Sequence, residues 1–122
     1  MNLSMLRCKI HRAVVTDADL NYEGSISIDP DLIAAAGLHI FERVDIYNIN
    51  NGARFSTYVI KGKPGEICLN GAAARHVQKS DLVIICSYCG VSAEEASRHQ
   101  ARIVFVDEKN QVQRINEKEA LS

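Results

Sequence analysis

Four short blocks hold the side chains with chemistry to offer: Lys9-Ile10-His11-Arg12, Tyr22-Glu23-Gly24-Ser25, Asn51-Gly52-Ala53-Arg54-Phe55-Ser56-Thr57-Tyr58 and Asn70-Gly71-Ala72-Ala73-Ala74. A serine that follows a glycine can turn its hydroxyl on the preceding carbonyl, forming a five-membered ring that opens to an ester. Glycine helps because, without a Cβ, it reaches backbone angles closed to other residues and exposes its carbonyl, storing strain that the rearrangement releases. An arginine such as Arg54 pairs with a carboxylate through two parallel hydrogen bonds. Each block also has a plain structural reading. Gly24-Ser25 alone is an ordinary turn, the Asn51 block a hairpin turn running into a strand, and the Asn70 block a turn that opens a helix. Thr57 alone is a β-branched strand residue, and an isolated Lys9 or Arg54 a solvated surface charge.

Other catalytic signatures are missing: there is no G-x-S-x-G elbow, phosphate-binding P-loop, H-E-x-x-H or G-x-G-x-x-G. His11, His39, His76 and His99 are dispersed, with no two spaced as metal ligands on one helix face. Cys86-Ser87-Tyr88-Cys89 has CxxC spacing but lies at the end of a strand-like run, with no second pair or nearby histidine to complete a zinc or redox site. Cys8, Cys68, Cys86 and Cys89 sit among apolar residues, where free cysteine acts as a small buried hydrophobe, and reduced thiols are expected.

The elements that must position these blocks are mostly strands. Residues 5–15, 43–48, 55–61, 66–69, 82–88, 103–106 and 112–115 are rich in β-branched or aromatic residues and bounded by Gly, Pro, Asn or Asp, which suggests a barrel. Val44 and Ile46, and with them Ile49, alternate with polar residues as in a strand wet on one face. Leu82-Val83-Ile84-Ile85-Cys86 does not alternate and reads as buried on both faces. Helices should be few and short. Asp29 caps and Pro30 opens one that stops at Gly37, a second starts near Asn70, and Ser92 with Glu95 forms a capping box for a third. Asn50-Asn51-Gly52 and Gly62-Lys63-Pro64-Gly65 are turns, and residues 116–122 read as a frayed tail.

The 122 residues suffice for one domain and one core, so 1–122 reads as a single unit without repeats or linkers. Hydrophobic residues at 47% and charged residues at 24% give a globular rather than a disordered composition. With 14 Lys and Arg against 15 Asp and Glu, the net charge of -1 supplies no field for nucleic acid or a membrane surface. No apolar run approaches a membrane span and the N-terminus lacks a cleavable leader pattern, so a cytoplasmic location is expected.

In this order and spacing the four blocks resemble the pyruvoyl-dependent aspartate 1-decarboxylase family of bacterial pantothenate synthesis. The likeness runs from residue 1 to about 106 and includes Thr16-Asp17-Ala18-Asp19-Leu20 and Ile28-Asp29. It implies a mainly β fold, the double-psi β-barrel with a few short helices, in a homotetramer with active sites at subunit interfaces. It further implies autocatalytic cleavage at Gly24-Ser25 into a β chain, 1–24, and an α chain, 25–122, whose Ser25 becomes a covalently bound pyruvoyl group. No metal or pyridoxal phosphate is implied. The expected reaction is decarboxylation of L-aspartate to β-alanine for pantothenate and coenzyme A synthesis, with the substrate's amine condensing on the pyruvoyl ketone.

The resemblance also assigns roles. Gly24, Ser25, Thr57 and Asn70 serve self-processing, with Thr57 as the donor to developing negative charge. Tyr58 returns a proton after decarboxylation, since a phenol carries one at neutral pH. Lys9, Arg54, Thr57 and backbone groups of Gly71, Ala72 and Ala73 bind substrate, Arg54 holding the carboxylate that stays. His11, Tyr22 and Tyr47 line the pocket, and Tyr47 stands where some relatives have tryptophan. Adjacent Thr57 and Tyr58 should point to opposite faces of a strand, so serving one centre demands a bulge, a twist or a shared interface. Two other readings remain: a non-catalytic binding module on the same barrel, and a pyruvoyl decarboxylase of another acidic amino acid.

Overall fold

The computed structural model describes residues 1–119, with side chains through Glu117. Within them run nine strands: β1 (Asn2–Val14), β2 (Asp17–Asp19), β3 (Ser25–Ile28), β4 (Arg43–Asn48), β5 (Arg54–Lys61), β6 (Ile67–Asn70), β7 (Leu82–Ser92), β8 (Gln100–Val106) and β9 (Val112–Glu119). Helix α1 (Pro30–Ala36) follows β3, a 3-10 turn (Gly71–His76) follows β6, and α2 (Ala93–Ala96) follows β7.

The strands hydrogen-bond in the order β2-β6-β3-β5-β4-β7-β1-β8-β9. The ends of this row meet through chain continuity, because only Val15 and Thr16 separate β1 from β2. Val15 donates its N–H to Asp81 O at 2.8 Å and Thr16 to Ile67 O at 2.8 Å, so the β1–β2 segment bridges β7 and β6 and closes a barrel. Closure removes the exposed edges that an open sheet would leave. Parallel pairing of β2 with β6 and of β3 with β5 interrupts the antiparallel ladder. This is the double-psi β-barrel. Its interior is filled by alternate residues, among them Ile10, Ile26, Ile28, Val44, Ile46, Val59, Leu69, Val83 and Ile85, each at most 1% exposed.

Local sequence accounts for the short elements. Asp29 Oδ1 accepts from Asp31 N at 2.7 Å, Pro30 occupies the first turn, and Gly37 ends α1 at φ 75°. Ser92 and Glu95 form the expected capping box of α2. The turn after Asn70 is 3-10.

Several expectations need correction. Two strands were not anticipated: β2, whose Asp17-Ala18-Asp19 has no β signature and is strand only because β6 pairs with its backbone, and the short β3. Residues 116–119, placed by the sequence in a tail, continue β9, where Asn116 pairs with Ile103 and Glu117 with Arg102; the Arg102–Glu117 ion pair at 3.1 Å adds to that register. Residues 120–122 of the expected tail lie outside the described residues. Only one face of β7 is fully covered, since Val83 and Ile85 are in the core while Leu82 and Ile84 stay partly exposed on the outer face. Ile49 lies beyond β4 and is 41% exposed.

Candidate active site

Strand β3 begins at Ser25, directly after the exposed segment Tyr22-Glu23-Gly24. Ser25 itself is 1% exposed and pairs with Asn70 across the antiparallel β3–β6 ladder. Residues directly opposite share a face, and here that brings the Asn70 amide onto two hydroxyls. Asn70 Nδ2 donates to Ser25 Oγ at 2.9 Å and to Ser27 Oγ at 3.0 Å, while Asn70 Oδ1 accepts from the Cys68 thiol at 3.3 Å. The Ser25 hydroxyl donates to Glu23 O at 3.2 Å. Burial pushes the Cys68 thiol up to about 11, with the carboxylates of Glu66, Asp17 and Asp19 adding to it. A cleft of about 420 Å³ opens beside this cluster, lined by Tyr22, Ser27, Ile60, Lys61, Cys68 and Asn70 among others.

The glycine that matters sterically is Gly71. It sits at φ 63°, and a Cβ on it would lie 2.7 Å from both N and Cα of Gly24 and 3.0 Å from Tyr22 O. Gly71 therefore forms the cradle in which the Gly24 backbone lies. Gly24 departs from expectation: it is not among the positive-φ glycines, and nothing lies within 4 Å of a Cβ built on it. Backbone strain at Gly24 is not what marks this bond; the close approach is made from the Gly71 side.

The parallel β3–β5 register pairs Ile26 with Val59 and Ser27 with Ile60; carried two residues further back, it would set Ser25 level with Tyr58 and Gly24 level with Thr57. Strand β5 shows no bulge against β3 or β4. Thr57 shares the face of its partner Val44, toward the barrel, and Tyr58 shares the outer face with Ser25, its ring 6.1 Å from that of Phe41. Carried back in this way, the register would meet the opposite-face conflict by putting one side chain beside each residue of the Gly24-Ser25 peptide. Ala72 is exposed and Ala73 is 8% exposed in the 3-10 turn that follows Asn70.

Lys9, Arg54 and Tyr47 are elsewhere on the same chain. Pairing runs Lys9–Cys86–Asp45–Ser56 across β1, β7, β4 and β5. The Arg54 guanidinium carbon lies 4.0 Å from the centroid of the Tyr47 ring, and Tyr47 and Tyr88 join hydroxyls at 2.7 Å. The hydrogen bond to Tyr47, aided by burial, pushes the Tyr88 phenol well above its ordinary value. Burial raises the Cys86 thiol, while Tyr88, Lys9 and Arg54 pull against it. Arg54 is four residues along β5 from Tyr58, about 13 Å, and Lys9 is four strands from β3, about 19 Å around the sheet. Within one chain the expected substrate-binding cations do not meet Ser25.

His11 occupies a third place, a cleft of about 380 Å³ shared with Arg12, Phe105 and Arg114. Its ring meets Phe105 edge-on at 5.6 Å and its buried Nδ1 has no partner. Burial, with Lys9 and Arg12 nearby, lowers its pKa. Ser27, Cys68 and Tyr88 were not anticipated as parts of these clusters. A signal for the first two was present: Ser25-Ile26-Ser27 and Cys68-Leu69-Asn70 each alternate polar and apolar, placing all four polar groups on one face once the strands pair.

A family model described as Aspartate decarboxylase matches residues 1–113, a span that contains every block named above. The chain belongs to the aspartate decarboxylase family. Among its relatives, an aspartate 1-decarboxylase of Bdellovibrio bacteriovorus is 76% identical over 112 residues, covering 92% of this chain and 90% of that protein. One from Campylobacter hominis is 62% identical over 111 residues, covering 91% and 97%. One from Caldicellulosiruptor bescii is 55% identical over 121 residues, covering 98% and 94%. Among the described residues of this family member all four cysteines are free, and no helix is long and apolar enough to cross a membrane.

Proposed function

We propose that this chain decarboxylates L-aspartate to β-alanine on a pyruvoyl group that it makes from its own Ser25. The observation that carries the reading is the seat of the Gly24-Ser25 bond: a buried Ser25 hydroxyl held by Asn70, with the Gly24 backbone lying where a Gly71 Cβ would stand. The residues present fit such a group, since Asn70 donates to the atom that must react and Gly71 leaves room for the backbone that must rearrange.

Ser25 Oγ attacks the Gly24 carbonyl carbon, and Thr57, level with Gly24, donates to the oxygen on which charge develops. The C–N bond then breaks, its nitrogen takes a proton, and an ester joins the two parts. Loss of the Cα proton with cleavage of Cβ–Oγ sends the electron pair onto the Gly24 carboxylate and leaves dehydroalanine. Water replaces its nitrogen as ammonia and the ketone results. Once made, this group would supply an electrophilic carbonyl for the substrate amine and a sink for the electrons released with carbon dioxide.

The remaining work falls to the chain's side chains. Arg54, stacked on Tyr47, pairs with the carboxylate that stays, and Lys9 adds positive charge. Tyr58, level with Ser25, delivers the proton to carbon. Because Lys9 lies far around the barrel from Ser25 and Arg54 far along β5, the complete site forms between two copies, one giving Ser25, Thr57, Tyr58 and Asn70, the other Lys9, Arg54 and Tyr47. His11, next but one to Lys9 on β1, and Tyr22 line its walls. A homotetramer satisfies this arrangement. The product serves pantothenate synthesis in the cytoplasm.

Mass spectrometry under denaturing conditions tests the reading. Two fragments are expected, 1–24 and 25–122, the second without a free amino terminus, while Ser25→Ala stays whole and releases no β-alanine from aspartate. A wild-type chain that remains intact after prolonged incubation refutes self-processing and favours a binding module. Release of β-alanine by Ser25→Ala refutes the assigned electron sink.

A further inference from the structure

The Asn70 carboxamide has three partners, and the one outside the serines fixes its oxygen. The Ser27 hydroxyl can donate or accept and satisfies either orientation of the amide, whereas the Ser25 hydroxyl donates to Glu23 O and, until its proton is lost in cleavage, can only accept from Asn70. The third partner is the buried Cys68 thiol, on β6 itself, which lies 3.3 Å from Asn70 Oδ1 and farther, 3.9 Å, from its other acceptor, Leu69 O. Its high pKa keeps it protonated at neutral pH, so it remains a donor and favours the oxygen. With Oδ1 fixed there, both N–H bonds of Nδ2 face the serines.

We infer that Cys68 is a positioning residue for self-cleavage: its S–H holds Asn70 Oδ1 so that Nδ2 stays aimed at Ser25 Oγ. The inference rests on the self-processing reading above and adds a residue to it. When the Cβ–Oγ bond of the ester breaks, the electron pair goes to Oγ as the Gly24 carboxylate leaves. A donor already aimed at that oxygen lowers the barrier. A rotated amide would instead present Oδ1 to the developing charge and repel it. Elimination, rather than ester formation, is therefore the step that Cys68 governs.

The test follows newly translated chain in a cell-free system, with samples taken over time into denaturant and split by hydroxylamine to reveal ester. Cys68→Ser keeps an O–H donor and should mature within about twofold of wild type. Cys68→Val keeps the bulk but removes the donor, so maturation should slow by about fivefold or more, as for one lost hydrogen bond, and hydroxylamine-sensitive chain should accumulate. Cys68→Ala, which adds no bulk, should repeat the result of Cys68→Val, and its circular dichroism and Tm separate slow chemistry from misfolding. Maturation of the folded Val or Ala chain at the wild-type rate overturns the inference, as does a Ser chain slowed as much as these. If wild type splits while either of those results is seen, Cys68 alone is wrongly assigned. A wild type that never splits removes the self-processing reading and this inference with it.

Discussion

Gly71→Ala tests the cradle most directly. The added Cβ would sit 2.7 Å from N and Cα of Gly24, where ordinary contact begins at 3.4 Å. The Gly24 backbone must therefore retreat by about 0.7 Å, or the 3-10 turn must shift by as much, because backbone atoms cannot rotate aside as a flexible side chain would. A retreat of that size stretches the 2.9 Å bond from Asn70 to Ser25 Oγ past hydrogen-bonding range. Losing such a donor costs roughly 100-fold in rate at a site of developing charge. The φ of 63° adds left-handed strain of about 1–2 kcal/mol for an L side chain. The expected outcome is a folded chain with Tm lowered by several degrees and self-cleavage slowed by about two orders of magnitude. A time course of denaturing mass spectra beside a melting curve reads both. Gly24→Ala is the control for stability: with nothing within 4 Å of its Cβ and no positive φ, it should melt close to wild type. Cleavage of Gly71→Ala at the wild-type rate would show that the Gly24-Ser25 bond does not depend on this close approach.

Three further outcomes follow from the same geometry. Tyr88→Phe removes the 2.7 Å anchor of the Tyr47 hydroxyl beneath Arg54, so KM for aspartate should rise about three- to tenfold, as for one hydrogen bond, with kcat and self-cleavage unchanged; steady-state kinetics on the fully cleaved variant would refute this if kcat fell instead. Chains carrying Ser25→Ala and chains carrying Arg54→Ala, each inactive alone, should regain activity at about a quarter of the sites when co-assembled, because random mixing brings intact halves together that often; no recovery in verified mixed oligomers would place the whole site in one chain. Burial opposes ionisation of Glu42, but hydrogen bonds from Ser87 and Arg7 outweigh it and hold the folded-state pKa below the ordinary 4.5. That stabilisation is complete above the unfolded pKa and is lost as pH falls through the depressed folded value, so the Tm advantage over Glu42→Gln should be full above about pH 5 and shrink below it. A pH-independent difference in Tm would contradict the assignment.

Much of the barrel was legible because its strands carry their own pattern. Val44 and Ile46 alternate with polar residues and do point into the core, and α1 begins and ends at its Asp29, Pro30 and Gly37 signals. What was not legible depends on partners distant in sequence. Asp17-Ala18-Asp19 has nothing of a strand in it and becomes one because β6 runs alongside. Ser25-Ile26-Ser27-Ile28 is too short to stand out, yet it pairs on both sides and is buried throughout.

The same limit explains how the candidate site divides. Resemblance collects Lys9, Ser25, Arg54, Tyr58 and Asn70 as one set, but sequence spacing says nothing of how far around a barrel two strands lie. Ser25 and Asn70 meet because β3 and β6 are neighbours; Lys9 is remote because β5, β4 and β7 stand between β3 and β1. A closed barrel cannot fold its outer wall back on itself, so side chains that far apart on the outside converge only when the wall of another molecule is laid against them. Tyr22, 55% exposed, and Phe41, 75% exposed, project from the outer surface near Ser25 and Tyr58, where such a wall would also cover apolar area that one chain leaves in water. On the proposed function, chemistry and assembly are one requirement: with the electron sink on one copy and the residues for the substrate's carboxylate on the next, a monomer of this chain should be able to cut itself without being able to turn over aspartate.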